Sequence, residues 1–379
     1  MCYRVHAVQN EILQQHAAPI MTNNNDRSLI IREQFSEWCK PRRGTLNPEI
    51  MTNLVWVELV ENSYNPHRAH KNYGTGDKQS PGWCFSRFGQ SETRLADGTA
   101  IFIGGEHEDY YDEDFYIYND VIVKSPDGQT SIFGYSKEVF PPTDSHSATL
   151  VDKSIYIVGC TGYPEQRNST NTPVYVLSLD DFSISRFDTS GTAPNWLYKH
   201  SARFVREDNA IYCEDGKIEN IEASEVVENI TTWRLCLTSG VWTAVDKKPW
   251  SRWRLIREDN QANNLYAISR ILSAERRGRE DKYSEAFRAE LLKNNCPLDG
   301  AVYQSRYSPP IDHGVVKNVE FRTHKISIDG VIVRYDEGSH DITITVEGNL
   351  PEDVIATLKV HGLDTFSKLE STSYKIVEL

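Results

Sequence analysis

Short apolar runs, each closed by a turn signal, fill the middle of the chain, and they recur. Ala100 to Ile103 is such a run, Gly104-Gly105 ends it, and Phe115 to Val123 supplies the next. Runs of four to eight β-rich residues bounded by glycine and polar clusters predict strands and hairpins. The pattern opened by Ser91-Glu92-Thr93 returns at His146-Ser147-Ala148-Thr149-Leu150-Val151, followed by Ile155 to Gly159, so that Gly104 to Gly159 is a step of 55. It returns again at His200-Ser201-Ala202-Arg203-Phe204-Val205 with Ala210-Ile211-Tyr212, and His146 to His200 is a step of 54. Leu255 to Asn260 echoes Phe204 to Asn209, and Tyr212 to Tyr266 is 54 once more, which predicts a fourth copy. Val174 to Leu179 with Ser183 to Phe187, and Trp233 to Leu237 with Val241 to Ala244, supply the further strand pairs that a four-stranded unit needs.

Repeats of this length, with Gly104-Gly105, the His-Ser-Ala triplets at His146 and His200, Ser190-Gly191 with Pro194, and Trp233 with Trp242, resemble the kelch family of β-propellers. The resemblance covers about half the chain and implies a mainly β fold of four-stranded blades. It departs from the family where the double glycine has become Gly159-Cys160 and then Glu214-Asp215-Gly216. Four copies stand at the low end of the ~4–8 blades of such rings. A histidine at the same place in successive copies predicts a structural hydrogen bond between neighbouring strands rather than chemistry.

The flanks lack the period. Before residue 83, Ser28 is placed to cap a helix through Ile31, Phe35 and Trp38, and Asn47-Pro48-Glu49 reads as a second helix start, running to Val60. After residue 270, residues 271–294 read as helical, with the interspersed charges of Arg276, Arg277, Arg279 and Lys282 reading as a solvated face. Lys325 to Ile328 and Val331 to Val333 flank an Asp329-Gly330 hairpin turn, Ile342 to Val346 is another strand, Pro351 opens a helix, and Tyr374 to Val377 is a last strand. The expected organisation is a helical segment over 1–82, kelch-like blades over 83–270, and an α+β region over 271–379 that is either a small module or completes the ring.

Net charge −13 argues against nonspecific binding to nucleic acid or anionic membranes and fits a basic protein partner. Seven scattered cysteines without a C-x-x-C pair indicate neither a zinc ribbon nor a disulfide framework. With no signal-like leader and no apolar run of membrane length, a cytoplasmic location is the expectation.

The densest chemistry lies between the first two runs, where Glu106, His107, Glu108, Asp109, Tyr110, Tyr111, Asp112, Glu113 and Asp114 are consecutive. Their charges repel one another unless a cation, a basic partner or water screens them. His107, Asp109, Asp112 and Asp114 are the candidate ligands for a divalent cation, although the spacing lacks the inward-turning glycine of a calcium loop. Tyr163, Trp196 and Tyr198 fall in other inter-strand loops, and exposed aromatics beside carboxylates are the composition of a protein-binding rim. No nucleophile elbow, phosphate loop, dinucleotide fingerprint or zinc-protease helix is present. The favoured reading is therefore a noncatalytic interaction protein that needs no cofactor and binds a protein partner, a basic one by charge, through its loops. An immunity- or antitoxin-type inhibitor suits its size and acidity. The alternative is a metal-dependent enzyme, an oxidoreductase or hydrolase, with its site at the acidic loop.

Overall fold

The computed structural model describes residues 24–64, 66–74, 82–109, 112–167, 171–220, 225–278, 282–317 and 322–379. The chain is mainly β, built of antiparallel sheets with helices towards both ends, and it divides into two compact units, Met1–Lys247 and Lys248–Leu379. No helix among the described residues is long and apolar enough to cross a membrane.

The first unit begins with α1 (Asn24–Trp38), β1 (Glu49–Ile50), α2 (Leu54–Asn62) and α3 (Pro66–Tyr73). The helix expected to start at Asn47-Pro48 starts later. Asn53 caps it, its side chain accepting from the N–H groups of Val55 and Trp56, while the Glu49 carboxylate is held by the Thr45 N–H at 2.8 Å and by Arg42. Glu49 and Ile50 are thereby freed from helix and pair with a strand of the first sheet.

Three sheets follow in chain order. The first contains β2 (Ser91–Arg94), β3 (Ala100–Ile103), β6 (Val121–Lys124) and β7 (Thr130–Gly134), with the hairpin β4 (Glu106–Asp109) and β5 (Asp112–Ile117) inserted between its second and third strands. The second is the meander β8 (Ser147–Val151), β9 (Ser154–Val158), β10 (Val174–Ser178) and β11 (Ile184–Arg186). After β12 (Ser190–Gly191) and β13 (Trp196–Tyr198), the third comprises β14 (Ser201–Val205), β15 (Ala210–Glu214), β18 (Thr231–Cys236) and β19 (Val241–Lys247), with β16 (Lys217–Asn220) and β17 (Glu225–Glu228) inserted at the same place. Gly104, Gly159 and Tyr212 accordingly lie on, or at the end of, the second strand of successive sheets.

These sheets stack. One face of the first, through Ile122 and Ile132, packs on Trp56 and Val60 of α2; its other face, with Ile101, Val121 and Phe133, meets Ile155, Leu177 and Ile184 of the second. Val158 and Val174 then meet Ile211, Leu235 and Trp242 of the third. Burial on both faces explains why Val121-Ile122-Val123 is apolar without alternation. The far face of the third sheet is polar, with Arg203 stacked 4.8 Å from the ring of Tyr212. A helical layer thus closes one end of the stack and charged side chains finish the other.

The repeated residues form the joints. First strands lie side by side, β2 by β8 and β8 by β14. The His146 Nε2–Ser91 Oγ and His200 Nε2–Ser147 Oγ distances are both 2.8 Å, so each repeat histidine binds the serine one step earlier. The N–H of Ser145 donates to Gly89 at 2.7 Å and that of Lys199 to Ser145 at 2.8 Å. At the glycines the approach is closer still: a Cβ on Gly104 would lie 2.2 Å from the Thr143 carbonyl oxygen, and one on Gly159 2.1 Å from that of Leu197. Both have positive φ, so side chains are barred twice over.

The second unit is a six-stranded sheet in the order β21-β22-β23-β24-β20-β25, where β20 is Ser251–Arg257, β21 Gly314–Val316, β22 Thr323–Ile328, β23 Val331–Glu337, β24 Asp341–Val346 and β25 Tyr374–Glu378. Its helices are α4 (Leu265–Arg276), α5 (Lys282–Lys293), α6 (Gly300–Ser305) and α7 (Glu352–Glu370). The Asp329-Gly330 hairpin forms as expected, with Ile328 opposite Val331. The fourth copy does not make a further four-stranded meander. Ser251–Arg257 pairs with both β24 and β25, and Tyr266 sits on α4, so the division falls after Lys247 rather than near residue 270. Trp253 and Leu255 are fully buried among Ile344, Leu358 and Phe366, which makes this strand the core of its own α+β unit. Buried Arg257 binds Glu370 at 2.6 Å and Asp259 at 2.7 Å, closing the end of α7 onto that strand.

The histidine joints set a pH dependence. Burial pushes His146 down to about 3, with His200 adding to the effect, and burial pushes His200 down to about 4. Folded values below the unfolded value of about 6.5 mean that the unfolded chain takes up protons first, so this stability is complete above pH ~6.5 and drains as pH falls towards the folded values. Between pH 7.5 and 5 each histidine should cost about 2 kcal/mol. Urea unfolding at the two pH values should show this loss in the native chain and a markedly smaller one in the H146Q/H200Q double variant.

Candidate functional site

In an antiparallel meander the connections between strands one and two and between three and four lie at one end, and the connection between two and three lies at the other. All three sheets carry their long insertion between strands two and three: β4–β5 in the first, residues 159–173 in the second, β16–β17 in the third. The insertions therefore emerge at one end of the stack, and tight turns such as Asp97-Gly98 and Asp127-Gly128 occupy the opposite end.

The insertions touch one another. The Tyr163 hydroxyl accepts from the Ile117 N–H at 2.9 Å, and its ring meets Phe115 edge-on at 5.7 Å, which ties the second insertion to the first. Arg167 grips its own loop through the carbonyls of Thr161 at 2.8 Å and Gly162 at 3.0 Å and reaches Glu219 on β16 at 2.8 Å. Strand β13 pairs with β16, so the third insertion is a three-stranded ribbon.

Of the residues singled out in the sequence, Glu106 to Asp109 and Asp112 to Asp114 lie on the paired strands β4 and β5, with His107 opposite Tyr116 and Asp109 opposite Asp112. His107 is buried. Tyr110 and Tyr111, and the side chains of Glu108, Asp109, Asp112, Glu113 and Asp114, lie outside the described residues. Among the described residues, no three His, Cys, Asp or Glu side chains are grouped to hold a metal ion. The exposed aromatic rim needs correcting. Trp196 and Tyr198 are buried with Cys160, and Trp196 donates from Nε1 to the Thr161 carbonyl at 3.2 Å. They hold the second insertion in place instead of facing solvent. Cys160 is an inert thiol there, pushed up to about 12 by burial.

Among the described residues, aromatic rings exposed beside the acidic hairpin are Phe88, 71% exposed and bridged to Glu106 through both backbone hydrogen bonds, and Phe115, 49% exposed. A second acidic insertion also escaped the sequence reading. Residues 214–228 hold Glu214, Asp215, Glu219, Glu222, Glu225 and Glu228 against Lys217. Their spacing of about three hid a charge density that the contiguous run at 106–114 made obvious. A cavity of about 340 Å³ opens beside the second insertion, lined among others by Lys137, Glu138, Pro141, Cys160, Arg186 and Trp196.

The root of the acidic hairpin is a buried ion pair. Arg87, with no exposed side-chain surface, contacts both oxygens of Asp120, with Nη2 at 3.0 Å from Oδ2. It also donates to the carbonyls of Cys84 at 2.7 Å and Gly104 at 2.9 Å, and stacks 3.4 Å from the ring centre of Tyr118 and 4.9 Å from that of Trp83. Trp83 completes the set by donating to Asp120 at 3.0 Å and stacking on Trp56 of α2 at 5.0 Å. Burial opposes the guanidinium charge, yet Asp120 outweighs it and raises the Arg87 pKa.

No family model matches the chain, and no curated protein matches it. Among solved structures it is similar to a mannose phosphorylase from Leishmania mexicana in complex with phosphate ion, at 12% identity over 74% of this chain and 71% of that one, with a TM-score of 0.27. A likeness that slight carries no argument about fold or activity.

Breaking the Arg87–Asp120 pair from one side should be severe. D120N leaves a buried guanidinium without its counter-charge, and R87M leaves a buried carboxylate, so each should cost about 3–5 kcal/mol in urea unfolding. The R87M/D120N double variant should lose clearly less than the sum; strictly additive losses would show that the two groups are not coupled.

Proposed function

We propose that residues 1–247 are a noncatalytic binding module of three kelch-like blades, which holds a basic partner protein on the end that carries the three insertions. The observation that carries this reading is the convergence of two acidic insertions on one end of the stack, braced by a third. Loops held on a rigid scaffold are where binding residues concentrate, and segments rich in carboxylates favour an oppositely charged surface. The charge is also segregated: residues 1–247 contain 34 acidic and 22 basic residues, whereas residues 248–379 contain 20 and 19. Phe88 and Phe115 supply apolar contact beside the carboxylates, and the cavity next to Trp196 offers a socket for one anchoring side chain. An inhibitor that covers a basic toxin, in the manner of an immunity protein, is the biological role that fits this chemistry.

The test uses a photo-crosslinking residue at Phe115 and, as control, at Ser239 among the opposite turns. Position 115 should capture one basic protein in cells and position 239 should not. Against the purified partner, D109N/D112N/D114N should weaken binding about tenfold at low salt and flatten its salt dependence. The same variant should keep or raise its melting temperature, because repulsion is relieved at constant size. A lower melting temperature in the variant, matched by chelator treatment of the native chain and by stoichiometric bound metal, would replace this reading with a metal site at the hairpin.

A further inference from the structure

The cavity of about 340 Å³ beside the second insertion combines a rigid apolar wall with charged groups on its exposed side. Trp196 and Tyr175 supply its aromatic surface, and both rings are fixed: Trp196 by its Nε1 bond to the Thr161 carbonyl at 3.2 Å, Tyr175 by an edge-on contact with Phe140 at 5.4 Å. Pro141, Pro142 and Pro173 add rings whose backbone angle is set covalently. A wall of this kind has little freedom left to lose when it is filled, so an apolar group can enter it without reorganising the protein. The Cys160 thiol, pushed up to about 12 by burial, stays protonated and adds no charge to the interior.

The charged groups are Lys137, Glu138 and Arg186, all at exposed positions, with Arg186 opposite Tyr175 in the pairing of β10 with β11. Among the described residues, none of the three is held in an ion pair. Asn168, Ser169 and Thr170, which precede the lining residue Asn171, carry no charge. Two cations beside one carboxylate disfavour a Lys or Arg side chain as the occupant, because like charges brought together cost affinity. A guanidinium next to an ammonium instead suits a carboxylate, which Arg binds through two parallel hydrogen bonds. The volume lies at the bottom of the range of about 300–1,000 Å³ of small-molecule sites, enough for one residue and not for a run of chain. The apolar group and the carboxylate therefore belong to the same residue. In a protein, a residue with both a large apolar side chain and a free carboxylate is the last one.

We propose that this cavity takes the C-terminal residue of the partner chain, with a large apolar side chain against Trp196 and Tyr175 and the terminal carboxylate held by Arg186 and Lys137. The assignment rests on the partner-binding reading of residues 1–247 and gives one contact of that interface its chemistry. It also divides the work at this end of the stack. The acidic insertions attract the basic surface of the partner, while the socket refuses Lys and Arg and so fixes which part of the partner enters it.

Calorimetric titration of the full chain with N-acetylphenylalanine, its C-terminal amide, N-acetylarginine and free phenylalanine tests the socket without the partner. N-acetylphenylalanine should bind with Kd of about 1 mM, the amide about tenfold more weakly, and N-acetylarginine immeasurably at up to about 10 mM. K137Q/R186Q, which changes two exposed positions, should lose about tenfold in affinity for N-acetylphenylalanine, and K153Q, at the opposite turns, should match the native chain. The socket assignment is overturned if N-acetylphenylalanine does not bind at up to about 10 mM, if the amide binds as tightly as the acid, if K137Q/R186Q leaves the affinity unchanged, or if free phenylalanine binds tighter than its acetylated form, which would make this a site for a free amino acid. A partner captured at position 115 should lose about tenfold or more in affinity when its last residue is removed. Unchanged affinity would overturn the socket alone, whereas failure to capture any partner would remove the partner-binding reading and this assignment with it.

Discussion

The first unit depends on how closely one sheet can approach the next at the joint between their first strands. The carbonyls of Thr143 and Leu197 press into the spaces left by Gly104 and Gly159, and this proximity lets His146 and His200 reach the serines of the preceding sheet. Any side chain at those glycines would push the sheets apart by more than a hydrogen bond tolerates. The histidines must stay neutral to serve, because an imidazolium sealed there would carry its charge without solvent. Backbone shape, close approach and protonation state are thus a single requirement, met at two successive joints.

That rigidity permits the acidic insertions. A hairpin carrying six carboxylates works against its own folding, and it persists because both of its ends are fixed elsewhere. The Gly104 N–H donates to the Asp120 carbonyl at 3.0 Å and the Tyr118 N–H to the Gly105 carbonyl at 2.9 Å, and Arg87 binds the Gly104 carbonyl and the Asp120 carboxylate from below. The indole stack of Trp83 on Trp56 then ties this root to the helical layer. An internal ion pair so placed contributes specificity of position more than net stability, since removing two charges from water costs much of what their attraction returns. The charged surface and the buried pair beneath it are parts of one arrangement.

What was legible in the sequence follows from how local each signal was. The 54- and 55-residue steps located the joints because the glycines and histidines there answer to contacts that recur at every step. The Asp329-Gly330 hairpin was legible for the same reason, its register being fixed by adjacent residues. Leu255 to Asn260 misled because strand-then-turn wording is shared by any β-hairpin; its actual neighbours, β24 and β25, lie about ninety or more residues further along and leave no trace in local pattern. Trp196 and Tyr198 were read as exposed because loops are exposed on average, but an insertion packed against two others builds a small core of its own. Asn53 displaced the Asn47-Pro48 helix start by a tertiary effect too, since β1 formation claims the residues between them.

The two units also solve opposite electrostatic problems. In the first, the excess of carboxylates over cations is concentrated in two insertions between strands. In the second, near-balanced charge is sorted by pairing. Arg257 binds Glu370 and Asp259, and Arg334 binds Asp336 and Glu347, so that the charges of this unit are spent on holding its own strands and helices together.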